Sequence, residues 1–309
     1  MAVSVGLRAG TTLRSRLQDR YQNRRRNFLV NAPAAGRRPQ NLPEPSVIPE
    51  TGWHVGHYLY RFRREAIDDA LDARAVNQVN AALHPEDDSK PERLASYWIS
   101  GHDADFAIMV MDPHPGKVDG VHQSLVAAPL GRYVEPVWSF ISMSEVSEYV
   151  PTIERFRDRL IAEGADADSP EVAAKVAAYE RRLPMMNEQR LRPEIPDWPA
   201  ACFYPMNKSR DVGANWFTEP FSRRNQLMAE HAQSGIAFAG RVSQLISVGV
   251  GLDDWEWMVT LWARNPEYLK EIVYKMRFDE ASAKYAQFGP FYVGYRATAE
   301  EILDHCRVR

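Results

Sequence analysis

Thiols are scarce in this chain: two cysteines, Cys202 and Cys306, occur in 309 residues, and no CxxC pair exists. Neither a disulfide framework nor a thiolate zinc site is indicated, and a reducing, cytoplasmic compartment fits. Signature motifs are missing as well. There is no HExxH despite eight histidines. GxGxxG, GxxxxGK before Ser or Thr, and GxSxG are all absent, which removes the commonest nucleotide-binding and serine-hydrolase signals. No apolar run is long enough to span a membrane. The formal net charge of −3 speaks against a general nucleic-acid binder.

Apolar residues make up 45% of the chain, enough for a sizeable core in one large or two ordinary domains. Residues 1–41 are rich in arginine and poor in acid, with NRRR at Asn23 to Arg26. They read as a disordered basic tail, with an import presequence as the alternative. Pro43, Pro45 and Pro49 mark a stiff linker.

From Gly52 the pattern predicts a strand over 53–62 and a helix over 65–82. Strands over 95–100 and 105–111, a helix over 118–128 and a strand over 137–143 follow. That order is βαββαβ. The same order recurs from Ala201: strand, helix from Glu219, strands near Gly240 and Trp255, helix from Pro266, strand at Phe291. The expected fold class is α+β, two ferredoxin-like halves in one chain. The expected division is a tail and linker over 1–45, one half over 46–150, a helical connector with an insertion over 151–195, and the second half over 196–309. His54, His57, His102, His114 and His122 lack paired ligand spacing, and solvated or capping roles are expected for them.

Residues 200–295 carry the candidate site. YPMNK (Tyr204 to Lys208) ends a strand that begins AACF. Thr218 is the expected N-cap of the next helix and Gly235 its stop. Phe221, Leu227, Met228 and His231 share one helical face. A neutral imidazole there either finds a hydrogen-bond partner or ligates a metal. Gln244 is the one polar residue on a strand face with Val242, Ile246 and Val248. An unpartnered buried amide would cost about 1–3 kcal/mol, so a backbone group or a ligand should meet it. Asn265 and Pro266 open a helix with the core stripe Leu269, Ile272, Val273 and Met276. Arg277, at the stripe's edge, can snorkel, pair with a protein carboxylate or hold a ligand carboxylate.

YPMNKSRD, NWF, the His231 helix, GLDDWEWMVTLWA and YKMRFDEASAKYAQFGPFYVG together resemble the chlorite dismutase-like haem protein family. Within it they are most similar to the coproheme decarboxylases of the bacillar kind. The resemblance is dense over 202–294, weaker over 53–149, and absent from the tail and connector. It implies that the two halves close into a dimeric α+β barrel, in a homo-oligomer that is usually a pentamer. It implies iron coproporphyrin III as substrate, haem b as product and hydrogen peroxide as co-substrate, with the porphyrin in the C-terminal half. Transient contact with a coproporphyrin ferrochelatase is a further implication.

By the same resemblance His231 is the proximal iron ligand. Gln244 stands on the distal side, where chlorite dismutases carry arginine. Tyr149, Arg190, Tyr204, Met206, Lys208, Arg277 and Ser282 match positions around the porphyrin and its propionates. Tyr204 is the expected radical carrier, and Lys208 assists the second propionate. Two rival readings differ in class: a chlorite dismutase or peroxidase-like enzyme, which Gln244 disfavours, and a non-catalytic haem carrier or sensor.

Overall fold

The computed structural model describes residues 49–67, 73–101, 103–127 and 129–308. The expectations for the basic tail, most of the linker and His102 lie outside these residues.

The N-terminal half runs β1 (Thr51–Phe62), α1 (Ala73–Leu83), β2 (Arg93–Ser100), β3 (Phe106–Asp112), α2 (Pro115–Val126) and β4 (Val134–Glu145). Its strands lie in the order β2-β3-β1-β4, all antiparallel. Two connector helices follow, α3 (Ile153–Ala162) and α4 (Pro170–Leu191). Thr152 and Ser169 cap them by accepting from the amides of Arg155 and Val172.

The C-terminal half begins with β5 (Ala200–Lys208) and a small hairpin, β6 (Arg210–Asp211) and β7 (Ala214–Asn215). It continues through α5 (Phe221–Ile236), β8 (Val242–Val248), β9 (Trp257–Ala263), α6 (Pro266–Met276) and α7 (Glu280–Tyr285). It ends with β10 (Ala286–Phe288), β11 (Tyr292–Arg296) and α8 (Ala299–His305). β10 and β11 share one edge of β5, and β9 pairs with the other. The order β11-β5-β9-β8 repeats that of the first half. Edge strands of one half pair with those of the other, β11 with β2 over four residues and β4 with β8 at Met143 and Val248. The sheet therefore closes on itself as a barrel, and every long strand has two neighbours.

Closure explains the strand sequences. β3 reads FAIMVMD with every residue buried. Ala107, Met109 and Met111 point into the barrel with Leu59, Phe140, Phe203 and Trp262. Phe106, Ile108 and Val110 point outward, under α1 and α2, where Tyr60, Val79 and Leu125 meet them. A strand covered on both faces reads as a continuous apolar run. Each such large side chain contributes about 1.5–3 kcal/mol by leaving water.

Several local expectations change. Thr218 does not cap α5. It sits in a 3-10 turn, donating to the carbonyl of Asn215, and Pro220 occupies the N-cap position without a side-chain bond. Gly235 lies inside the last turn of α5 rather than ending it. Of the predicted helix over 65–82, the described residues show a 3-10 turn at Arg64–Ala66 and α1 from Ala73, and residues 68–72 lie outside them. His57 is not solvated: it is buried in the barrel, where Nε2 lies 2.9 Å from Thr260 Oγ1. Burial pushes its pKa down to about 3, so it is neutral. His122 lies 2.9 Å from the Tyr60 hydroxyl and stacks on Tyr58.

Candidate functional site

Antiparallel partners in register share a face of the sheet. On the outer face of the C-terminal half, Tyr204, Val259 and Ile246 form one row, and Met206, Trp257 and Val248 the next. Gln244 stands one row further along β8. α5 and α6 cross this face, and between sheet and helices lies a cavity of about 520 Å³. That is within the range of about 300–1,000 Å³ for small-molecule and cofactor sites. Ile246, Val248, Val273, Trp257 and Phe288 give it apolar walls, while His231, Lys208, Arg224 and Tyr149 bring polar groups to it.

His231 comes two turns after Arg224 on the inner side of α5. Its Nδ1 donates to Asp279 Oδ2 at 2.9 Å, and Ser282 Oγ lies 3.3 Å from the same nitrogen. Asp279 is 4% exposed and also caps α7, accepting from the Ser282 amide at 2.8 Å. Burial alone would raise its pKa, but the hydrogen bond and charge of His231, with the Ser282 bonds, outweigh burial and hold it low. A carboxylate fixed on Nδ1 leaves Nε2 as the lone-pair nitrogen. Metal-ligating histidines are held in this way.

Tyr204 is 4% exposed and packed between Phe291, whose ring stacks at 4.3 Å, and the edge of Phe288. Burial, and then the neighbouring Cys202 thiol, push its phenol pKa well above the usual value, with Arg277 opposing. It therefore keeps its O–H at neutral pH. Lys208 Nζ sits 4.3 Å above the Trp216 ring. Burial lowers its pKa to about 8, against the pull of Asp279 and Glu256. The Lys208 amide donates to Glu256, which also pairs with Arg210.

The segment after β4 supplies the opposite wall. Tyr149 faces the cavity, and its hydroxyl accepts from Arg224 Nε at 3.3 Å. Arg224 also donates to Glu148 Oε2 at 3.1 Å and to the Glu219 carbonyl at 2.8 Å. Glu145 lines the same wall, and burial with the nearby Glu148 charge raises its pKa to about 7. Gly235 gives Gln244 its room: a Cβ there would come within 3.3 Å of Gln244 Nε2 and 3.5 Å of Met276.

The cavity thus brings together Tyr149, Tyr204, Met206, Lys208, His231, Gln244 and Ser282. Arg190 is not among its lining residues. It stands in the last turn of α4 and donates to Asn187 at 3.0 Å. Arg277 is the C-cap of α6 and not among the lining residues, with its guanidinium 4.2 Å above the Phe288 ring. Gln244 is exposed in the cavity rather than buried, so a buried-amide argument does not apply to it. Asp279 and Arg224 were not foreseen. Arg224 carried a readable signal, because it falls on the Phe221, Leu227, His231 face at helical spacing.

A closed α+β barrel with a largely apolar, histidine-bearing cavity against its second half defines a class of duplicated barrel proteins. A family model described as chlorite dismutase matches residues 72–297, and the chain belongs to the chlorite dismutase family. The coproheme decarboxylase of Oceanobacillus iheyensis is 30% identical over 275 residues, 85% of this chain and 99% of that protein. A protein of Natronomonas pharaonis named for haem binding is 33% identical over 270 residues, 85% of this chain but 42% of its own length. The structure of a haem-binding protein from Thermus thermophilus superposes with a TM-score of 0.69 at 30% identity, covering 86% of this chain and 99% of that one. No helix among the described residues is long and apolar enough to cross a membrane.

Proposed function

We propose that this chain is a coproheme decarboxylase, which uses peroxide to convert two propionates of iron coproporphyrin III into vinyl groups and so makes haem b. The observation that carries the reading is His231, held at Nδ1 by a buried carboxylate, facing the same cavity as Tyr204 and Lys208. This donor set fits an iron porphyrin: one axial nitrogen, apolar walls for the macrocycle, and cations and phenols for its carboxylates. A bare ion would need more ligands, and among the described residues no cluster of three His, Cys, Asp or Glu could supply them.

When bound, the iron porphyrin supplies the oxidising centre that peroxide loads. The residues do the rest. His231 Nε2 would hold the iron, and Asp279 fixes the tautomer that leaves this nitrogen free. Tyr204 passes on an electron and a proton together and takes a hydrogen atom from a propionate β-carbon. Lys208 holds the carboxylate being lost, or the next one. Per propionate, R–CH2CH2–COO⁻, H2O2 and H⁺ become R–CH=CH2, CO2 and two waters, with peroxide taking both electrons. Gln244 places a neutral amide, not a cation, over the cavity.

The test is the porphyrin's mass after incubation of wild type with iron coproporphyrin III and peroxide. Loss of two carboxyl units, each released as carbon dioxide, supports the reading. An unchanged mass with the porphyrin bound would leave a carrier or sensor, and rapid oxygen release from chlorite would leave a chlorite dismutase.

A further inference from the structure

Arg224 is the one arginine lining the cavity among the described residues, and it is already engaged. Its side chain is 8% exposed, and the Glu219 carbonyl and the Tyr149 hydroxyl anchor two of its nitrogens. The third, Nη2, meets Glu148. Glu148 is the looser partner: its side chain is 30% exposed, and it belongs to the irregular segment between β4 and α3. One partner is thus fixed by a helix and two further bonds, while the other, which also meets the Tyr149 hydroxyl, is the more exposed of the two.

We propose that Arg224 is a receptor for one carboxylate of the bound ligand, and that Glu148 holds its Nη2 until that carboxylate arrives. The proposal rests on the reading of the ligand as a porphyrin carboxylate. A guanidinium in a fixed position suits planar, bidentate carboxylate recognition. While they are paired, Arg224 and Glu148 cancel in charge, so this wall does not attract an anion. Exchange of Glu148 for a ligand carboxylate keeps Arg224 paired throughout. That matters because an uncompensated buried charge is strongly disfavoured. Rotation of Glu148 outward also removes a negative charge from beside Glu145 and from the incoming ligand.

The test is titration of iron coproporphyrin III into wild type, Glu148→Gln, Glu145→Gln, Arg224→Gln and the double variant E148Q/R224Q, followed by quenching of tryptophan fluorescence. Trp216 and Trp257 line the cavity and report directly. With Glu148 as a place-holder, E148Q tightens binding about threefold or more, and R224Q loosens it about tenfold, the size of one charge-assisted contact. In the R224Q background E148Q then gives a clearly smaller gain, and Glu145→Gln in wild type gives less than E148Q. A purely structural latch predicts the opposite sign, with E148Q loosening binding and lowering Tm. That result, no change in E148Q, or an equal gain with and without Arg224 would each overturn the proposal. Should R224Q fail to fold, R224K serves in its place, and the comparison of the E148Q effect in the two backgrounds still decides. Wild type that does not bind the porphyrin sinks the ligand reading and this proposal together. Wild type that binds, with E148Q no tighter, sinks this proposal alone.

Discussion

Asp279 Oδ2 lies 2.9 Å from Nδ1 of His231, across 48 residues of sequence. The carboxylate starts α7 and the imidazole stands near the end of α5, so one contact fixes both helices and the tautomer of the cavity's histidine. Asp279→Asn separates these roles. Asparagine is as good an N-cap as aspartate, so α7 should persist. The lost charge should weaken iron-porphyrin binding about 10–100-fold, as such partners of ligating histidines do, and shift the Soret band. His231→Ala should do the same more strongly. Unchanged affinity and spectrum in either variant would remove that residue from the site.

The same pair gives a pH dependence of stability. The folded Asp279 pKa lies below the ordinary value of 3.8, so its contribution is fully present above that value and is lost as pH falls through the folded one. Wild type should therefore be more stable than Asp279→Asn at pH 7, with the gap in Tm closing below about pH 4. A gap that stays constant down to about pH 2 would contradict the pairing.

Lys208 behaves oppositely. Burial holds its pKa near 8, and a bound propionate would raise it. Only the charged amine attracts the anion, so affinity should be flat below the free value and fall as pH rises from about 8 towards the bound value. Lys208→Met should bind more weakly at pH 7 and lose this alkaline limb. A wild-type affinity independent of pH between 7 and 10 would show that Lys208 does not meet the anion.

The duplicated βαββαβ order was legible because strand and helix periods differ and both halves kept clear patterns. The apolar face of α6 and its Asn265 cap were legible for the same reason. Barrel closure was not read from periodicity. The expectation of a solvated or capping His57 fails for that reason, because closure buries it. Asp279 lay in plain view in MRFDEAS, but its link to His231 is made in space, not in sequence. Arg277 and Arg190 are not among the residues that line the cavity. Arg277 caps α6 with its guanidinium over the Phe288 ring, and Arg190 stands in the last turn of α4, within the span that the family model matches.

Gln244 bears on chlorite. It reaches the cavity with a neutral amide, so nothing at that position offers a cation to hold the products of chlorite cleavage. An oxygen electrode should record little or no oxygen when wild type loaded with haem meets chlorite. Rapid oxygen evolution would move the chain to the chlorite-cleaving branch of its family.

Tyr204→Phe is the most direct measurement. The ring keeps its stacking on Phe291 and its contact with Phe288, so porphyrin binding should survive. Losing one neutral hydrogen bond costs about 0.5–1.5 kcal/mol, roughly tenfold in rate at most. Losing the O–H that passes a proton and an electron should instead stop turnover. The measurement is vinyl groups formed per peroxide added, by porphyrin mass, in wild type and Tyr204→Phe with bound iron coproporphyrin III confirmed by absorbance. Haem b from wild type and almost none from the variant is the predicted result. Haem b from the variant within tenfold of wild type would contradict the role of Tyr204, and none from either would contradict the decarboxylase itself.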